Sequence, residues 1–118
     1  MTLNLNKYGV EMQTAWKKVC DVNSDIDWAL YGYEGTSFTL KLLATGSDGL
    51  DELKDELNAN KVMYAFIRVN DPKTSLPKFV FLHWQGESAA GTRKGLCATH
   101  LSDIERYFHG AHITINAR

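Results

Sequence analysis

The sequence predicts an α/β fold of the α+β type, in which helices cover both faces of a central mixed β-sheet. Two segments, 62–69 and 79–84, are nearly continuous runs of apolar and aromatic residues, as is typical of central strands covered on both faces. The predicted order is helix, hairpin, helix, hairpin, helix, strand, and hairpins joined through helices pack as a sheet between helical layers. At 118 residues, the chain is predicted to be one domain, 1–118.

The first half of the chain is predicted to form a helix, a hairpin and a second helix. Over 6–20, apolar residues recur at three- and four-residue steps, which places them on one face of a helix. Strands are predicted over 26–33 and 38–45, where aromatic and alternating apolar residues occur. Ser47 or Asp48 is expected to cap the second helix, whose apolar stripe consists of leucines.

The second half is predicted to contain the two central strands, a long helix and a last short strand. The segment 70–77 between the central strands has turn chemistry and is expected to project as an exposed hairpin loop. One helix is predicted over 92–108, followed by a strand over 112–115. The residues of this helix that are expected to face the core are Cys97, Leu101, Ile104 and Phe108.

Composition limits the class of protein. An apolar content of 44% and a charged content of 23% are ordinary for a globular domain. No apolar run approaches the roughly 20 residues needed to cross a bilayer, and the N-terminus lacks the layout of a secretory signal. A cytoplasmic protein without a transmembrane segment is therefore expected. The two cysteines, Cys20 and Cys97, are predicted to be buried thiols.

Charge is distributed unevenly along the chain. Residues 1–60 contain five basic and ten acidic residues, a net charge of −5. Residues 61–118 contain eight basic and four acidic residues, a net charge of +4, which leaves −1 for the whole chain. This distribution favours an acidic partner for the second half, but the excess is too small to indicate nucleic-acid binding.

Two constellations suggest a small metal- or nucleotide-dependent enzyme as an alternative. Cys97, His100, His109 and His112 are residue types that bind zinc. A single helix between the two pairs would hold them more than roughly 10 Å apart, however. The segment 86–94 has two glycines at the spacing of a phosphate-binding loop, but its lysine does not directly follow the second glycine. No metal and no cofactor is therefore expected.

Three basic residues are candidates for contact with an acidic partner. Arg93 and Lys94 lie in the predicted first turn of a helix, where the helix dipole disfavours cations. They are either a tolerated surface pair or a pair that faces an acidic partner. Lys78, at the start of a predicted strand, poses the same alternatives, because edge lysines also discourage aggregation.

Seven word-like segments occur in order along the whole chain: DWAL at 27–30, YEG at 33–35, KVMYAF at 61–66, LPKFV at 76–80, WQGE at 84–87, RKG at 93–95 and GAHITINAR at 110–118. In these segments the chain resembles the drebrin-like branch of the actin-depolymerising-factor homology (ADF-H) domains, which have the cofilin-like fold. The resemblance implies a non-catalytic module that binds the side of actin filaments, as part of a cytoskeletal adaptor and without strong severing.

The resemblance also implies which residues contact actin. Lys94 and Thr92 fall on two positions that cofilins use at the start of their long helix, and Arg93 lies between them. Lys78 falls on a position of the filament-specific contact, although its neighbour Leu76 replaces a basic residue. The expected actin-binding residues are Lys78, Arg93, Lys94, Thr92, Leu3 and Asn4.

Further expectations concern partners, location and regulation. Weaker binding to monomeric actin and binding to phosphoinositides are compatible with the resemblance, and the expected location is the actin cytoskeleton and cell cortex. The phosphorylatable serine of cofilins is not carried over, because the corresponding stretch is Thr2-Leu3-Asn4. Members of the family continue with another helix and strand after the segment that ends at Arg118, so the domain is expected to lack these two elements and to leave apolar surface uncovered.

Overall fold

The computed structural model describes residues 3–35, 37–89 and 91–117, without the side chains of Thr92, Arg93 and Leu96. Within these residues the elements are α1 (Gly9–Cys20), β1 (Trp28–Tyr33), β2 (Leu40–Gly46), α2 (Gly49–Glu56), β3 (Val62–Asn70), β4 (Pro77–Gln85), α3 (Gly91–Ala98), α4 (Leu101–Tyr107) and β5 (Ile113–Ala117). This order confirms the predicted succession of helices and hairpins, except that the predicted long helix is divided.

The described strands form one mixed sheet in the order β2-β1-β3-β4-β5. Neighbouring strands are antiparallel, except that β5 runs parallel to β4. In the central hairpin, Val62 pairs with Gln85 at one end and Val69 pairs with Lys78 near the other. We call these the Gln85 end and the Lys78 end of the sheet. β1 also ends, and β2 begins, at the Gln85 end, since Gly32 pairs with Met63 and Tyr33 pairs with Leu40.

Two core clusters lie on opposite faces of the sheet. The first contains side chains of α1, α3 and α4 packed on residues such as Tyr64 and Phe66. The second contains Leu53 of α2 packed on the neighbours Met63 and Ala65. Successive residues of a strand point to opposite faces, so each residue of β3 from 62 to 67 is buried on one side or the other. The prediction of a sheet between helical layers is confirmed.

The prediction of one continuous helix over 92–108 is wrong. The helix stops at Ala98 and starts again at Leu101, with a turn between the two segments. In this turn the amide of His100 donates to the carbonyl of Cys97 over 3.0 Å. The imidazole is 6% exposed, and its Nδ1 lies 3.1 Å from the hydroxyl of Tyr33. The break therefore brings a polar side chain into the core with a hydrogen-bond partner, which burial of a polar group requires.

Of the core positions predicted for this segment, three are buried and the fourth, Leu101, packs partly buried against the first cluster. The predicted cap of the second helix is correct in position but wrong in its side-chain bond. Asp48 occupies the N-cap position without a side-chain hydrogen bond. Instead, Oε1 of Glu52 accepts hydrogen bonds from the amides of Ser47 and Asp48, over 3.1 and 3.4 Å, and from the indole nitrogen of Trp28 over 3.0 Å.

Cys20 and Cys97 are both thiols, with no disulfide between them. Cys97 is buried and Cys20 is half-buried, which agrees with the prediction for Cys97 and in part for Cys20. Burial raises the pKa of the Cys20 thiol, so this side chain stays protonated at neutral pH. None of the described helices has the length and apolar character that crossing a membrane requires.

Candidate functional site

The predicted basic residues lie at opposite ends of the sheet. Lys78 is near the start of β4, whereas α3, which carries Lys94, begins after β4 has ended at Gln85. Lys78 and Gln85 are seven positions apart, which is roughly 23 Å at about 3.3 Å per strand residue. Lys78 also shares its face of the sheet with Val80, which packs against the second core cluster. The structure thus places Lys78 and Lys94 on two separate surfaces.

The first turn of α3 contains the predicted basic residues Arg93 and Lys94. Lys94 is half-exposed, and its Nζ donates a hydrogen bond to the carbonyl of Glu87 over 3.3 Å. The first turn of α3 contains no acidic residue, so nothing in that turn offsets the cation. The side chains of the other two residues predicted here, Thr92 and Arg93, lie outside the described part of the structure.

The loop that leads into α3 is fixed to the loop 57–61 that precedes β3. The amide of Gly86 donates to the carbonyl of Lys61 over 2.9 Å, and the amide of Ser88 donates to the carbonyl of Ala59 over 2.8 Å. These two bonds join the loops at the Gln85 end of the sheet. They set where α3 starts and therefore where its basic first turn lies.

Leu3 and Asn4 belong to an N-terminal segment that lies beside β2. The amide of Asn4 donates to the carbonyl of Phe38 over 2.9 Å, and the amide of Leu40 donates to the carbonyl of Asn4 over 3.0 Å. Leu3 is partly buried and packs against the first core cluster, whereas Asn4 is exposed. Since β2 begins at the Gln85 end, the segment and α3 share that end of the molecule.

Glu34, in the turn after β1, is a charged contact of this segment that sequence reasoning missed. Its Oε1 lies 3.0 Å from Nζ of Lys7, and its Oε2 accepts a hydrogen bond from the hydroxyl of Tyr8. The hydrogen bond from Tyr8, followed by that from Lys7, lowers the pKa of Glu34. The partners are 26 and 27 positions away along the chain, so no local pattern signals the contact.

The predicted cysteine–histidine set does not converge on one point. Nδ1 of His100 faces the hydroxyl of Tyr33 in the core, whereas Nδ1 of His112 accepts the amide of Phe79 over 3.0 Å. His109 is exposed. Among the described residues, no three His, Cys, Asp or Glu side chains are grouped so that they could hold a metal ion.

The segment 86–94 does not present its amides as a phosphate-binding loop does. In such a loop the backbone N–H groups point at the phosphates. Here the amides of Gly86 and Ser88 donate to the neighbouring loop, and the amide of Ala89 donates to the carbonyl of Gly86 over 3.0 Å. These three amides of the segment are therefore used within the protein, and Lys94 also points back, to the carbonyl of Glu87.

His83 on β4 is a buried histidine, only 2% exposed. Its ring stacks on Tyr64 with a centroid distance of 5.1 Å, and its Nδ1 lies 3.0 Å from Oδ1 of Asn116. Its Nε2 is buried and has no hydrogen-bond partner among the described residues. Burial lowers the pKa of His83 from its ordinary value of 6.5, because the charged imidazolium would lose its hydration.

We expect the free energy of unfolding to decrease as pH falls below about 6.5, partly through His83. Below this pH the unfolded chain binds a proton at the imidazole, whereas the folded chain does so only at lower pH, so acid favours unfolding. Urea unfolding at pH 7.5 and at pH 5.5 measures the effect, and His83→Gln should reduce the difference. His109→Gln, at an exposed histidine, should leave it unchanged. An equal pH dependence in all three proteins would contradict the assignment.

Comparison with known proteins identifies one family that matches nearly the whole chain. Residues 6–118 match the family described as cofilin/tropomyosin-type actin-binding protein. Drebrin-like protein B of Xenopus laevis is 52% identical over 118 residues, which is 100% of this chain but 31% of that protein. The chain thus spans about a third of the length of this relative.

Solved structures show the same fold. Human coactosin-like protein superimposes with a TM-score of 0.85 at 18% identity, over 99% of this chain and 86% of the other. The cofilin homology domain of a yeast actin-binding protein superimposes with a TM-score of 0.84 at 21% identity, over 98% of this chain and 87% of the other. The fold predicted from the sequence is thereby confirmed.

Proposed function

This chain belongs to the family of cofilin/tropomyosin-type actin-binding proteins, and from that membership we propose that it binds the side of actin filaments as the filament-binding part of a cytoskeletal adaptor. The binding is non-catalytic and does not strongly sever filaments. It takes place in the cytoplasm, at the actin cytoskeleton and cell cortex.

The observation that carries the proposal is that the two predicted lysines are partly exposed and not paired with a described acidic residue. Neither Lys78 nor Lys94 forms an ion pair with any residue that the structure describes. Both side chains are half-exposed. Their charges therefore remain available to an acidic partner, and charge complementarity of this kind contributes to specificity and association rate.

The separation of the two lysines favours a filament over a monomer as the preferred partner. Lys78 and the start of α3 lie at opposite ends of the sheet, and Lys78 and Gln85 on β4 are roughly 23 Å apart by strand geometry. A filament repeats the same acidic surface along its side, so both regions can be engaged together. A monomer offers a single copy of that surface, so we expect it to be bound more weakly than a filament. Phosphoinositides could compete for the same lysines, since anionic lipids attract basic clusters.

The non-enzymatic part of the proposal is supported by the geometry of the alternatives. The cysteine–histidine set faces several different neighbours, and the amides of Gly86, Ser88 and Ala89 in the 86–94 loop bond within the protein. In their described parts, neither provides a convergent set of groups for catalysis.

We expect the double substitution Lys78→Glu and Lys94→Glu to weaken filament binding about tenfold, which is about 1.4 kcal/mol. Two favourable charge contacts would become repulsive, and raising the salt concentration should weaken the binding of the unchanged protein as well. Co-sedimentation with actin filaments over a range of filament concentrations measures the affinity. Adding Arg93→Glu should weaken it further.

Lys54→Glu is the matched control, because Lys54 lies on α2, is 61% exposed and, among the described residues, forms an ion pair only with its helix neighbour Asp51. It changes the net charge in the same direction on a helix that packs over β1, β2 and β3, and Lys54 is not among the residues predicted to contact actin, so pelleting should be unchanged. Equal pelleting of the double variant and the unchanged protein would defeat the site assignment. If the unchanged protein itself stays in the supernatant at low salt, filament binding is refuted.

A further inference from the structure

Glu34 joins the N-terminal segment to the turn after β1. Glu34 is not among the residues predicted to contact actin. We propose that Glu34 is a positioning residue that holds residues 3–8 in place before the filament arrives. This inference rests on the proposed function, because the segment contains the predicted contact residues Leu3 and Asn4.

The carboxylate of Glu34 uses both of its oxygens on the segment. Oε1 pairs with Nζ of Lys7 at 3.0 Å, and Oε2 accepts the hydroxyl of Tyr8. Glu34 is itself held in the turn, because its amide donates to the carbonyl of Thr39 over 2.8 Å and its carbonyl accepts the amide of Ser37 over 3.0 Å. The backbone of Glu34 is therefore held in the turn, and its carboxylate attaches the segment to that turn.

The segment has few other attachments to the domain. Asn4 makes two backbone hydrogen bonds with the start of β2, and Leu3 and Leu5 pack against the first core cluster. Tyr8 occupies the N-cap position of α1 but makes no side-chain bond to the helix. Its hydroxyl donates a hydrogen bond to Glu34 instead. The contact with Glu34 therefore joins the start of α1 to the turn between β1 and β2.

The energetic consequence is expected in binding more than in folding. Lys7 and Glu34 are 55% and 35% exposed, and ion pairs of this exposure contribute little to global stability. A segment that is ordered in advance, however, loses less conformational freedom when it binds. Removing the contact leaves the core intact and raises the entropic cost of docking.

Glu34→Lys separates this role from a direct electrostatic one. If Glu34 only faced an acidic partner, replacing it with lysine would remove repulsion and strengthen binding. A positioning role predicts the opposite, a loss of about fivefold in filament affinity by co-sedimentation. The reciprocal change Lys7→Glu should weaken binding to a similar extent. The swap Lys7→Glu with Glu34→Lys restores one ion pair and should recover most of the affinity lost by Lys7→Glu alone.

A second readout reports the contact without actin. In the {1H}-15N heteronuclear NOE of the isolated protein, the amides of residues 4–7 should become more mobile in Glu34→Lys and return toward the unchanged values in the swap. Glu56→Lys, an equal charge change at an exposed position on α2, should alter neither readout. Unchanged amide mobility, or pelleting of Glu34→Lys at least as strong as that of the unchanged protein, overturns the proposal. Failure of the unchanged protein to pellet instead defeats the proposed function, and the NOE values still decide whether Glu34 holds the segment.

Discussion

Replacing Gly86 with alanine is expected to lower the free energy of unfolding by about 3 kcal/mol, at the upper end of the cost of overpacking. A Cβ atom at this position would lie 2.5 Å from the carbonyl carbon of Ala59 and 2.7 Å from the carbonyl oxygen of Lys61. Both neighbours are backbone atoms, which cannot rotate away as a side chain can. Relief requires the two loops to separate, and that would break the bond from the amide of Gly86 to Lys61. Urea denaturation measures the change.

Gly95→Ala is the matched control, because a Cβ atom at Gly95 would meet nothing within 4 Å. Gly95 lies inside α3, where alanine is favoured over glycine by roughly 0.5–1 kcal/mol, so this variant should be slightly more stable than the unchanged protein. Equal stability of the two variants would show that the loops around Gly86 can relax, contrary to this expectation. Since those loops determine where α3 starts, Gly86→Ala should also reduce filament binding.

Arg68→Met is expected to cost about 3 kcal/mol of stability, because the guanidinium of Arg68 closes the connection between α1 and β1. Nη1 donates to the carbonyl of Val19 over 2.8 Å and also to the carbonyl of Asp21, and Nη2 donates to the carbonyl of Ser24 over 2.8 Å. These carbonyls belong to the end of α1 and the loop after it, where a helix leaves acceptors unsatisfied. A hydrogen bond from a charged group contributes about 1.5–3 kcal/mol. Thermal or urea unfolding measures the loss.

Arg106→Met is the matched control for Arg68→Met. It removes the same charge from a residue that does not bridge the three carbonyls, so a difference between the two variants reports the hydrogen bonds of Arg68. The side chain of Arg106 is 76% exposed and pairs with Asp103 three positions earlier on α4, a contact that contributes less than about 1 kcal/mol. Arg68→Lys keeps the charge but has no planar fork to reach three carbonyls, so it should recover only part of the lost stability. If Arg68→Met were no less stable than Arg106→Met, the three carbonyls would have to be satisfied by water.

The sequence predicted the strands well because their signals are local. The apolar run that became β3 is covered on both faces, and the turn chemistry between β3 and β4 matches the hairpin that the structure contains. The break between α3 and α4 has no local signal of this kind, and the contact that His100 makes there is with a residue 67 positions away. The side-chain bond predicted for the N-cap of α2 is not formed, and Glu52, which accepts the nearby amides instead, also binds Trp28 on β1.

The candidate site was predictable in part. The charge of Lys94 at a helix start and of Lys78 at a strand start is visible in the sequence, because both elements can be located from their patterns. That they lie on separate surfaces depends on the length of β4 and on the face that Lys78 shares with Val80. The contact of Glu34 with Lys7 and Tyr8 leaves no periodic or spacing signal. It forms only in the folded protein, where the turn after β1 lies beside the start of α1.

β5, the strand paired in parallel, is expected to separate from the sheet more easily than the other described strands. β5 is five residues long, bonds to β4 and exposes Ile113 and Ile115 to 56% and 45%. The other four described strands form a contiguous antiparallel unit, in which β3 is paired on both sides. Fraying of β5 leaves that unit and its two core clusters largely intact, so this strand belongs to the low-stability end of the fold. Because it joins β4 only after the chain has passed through α3 and α4, its closure costs more chain entropy during folding than that of the β1–β2 or β3–β4 hairpin.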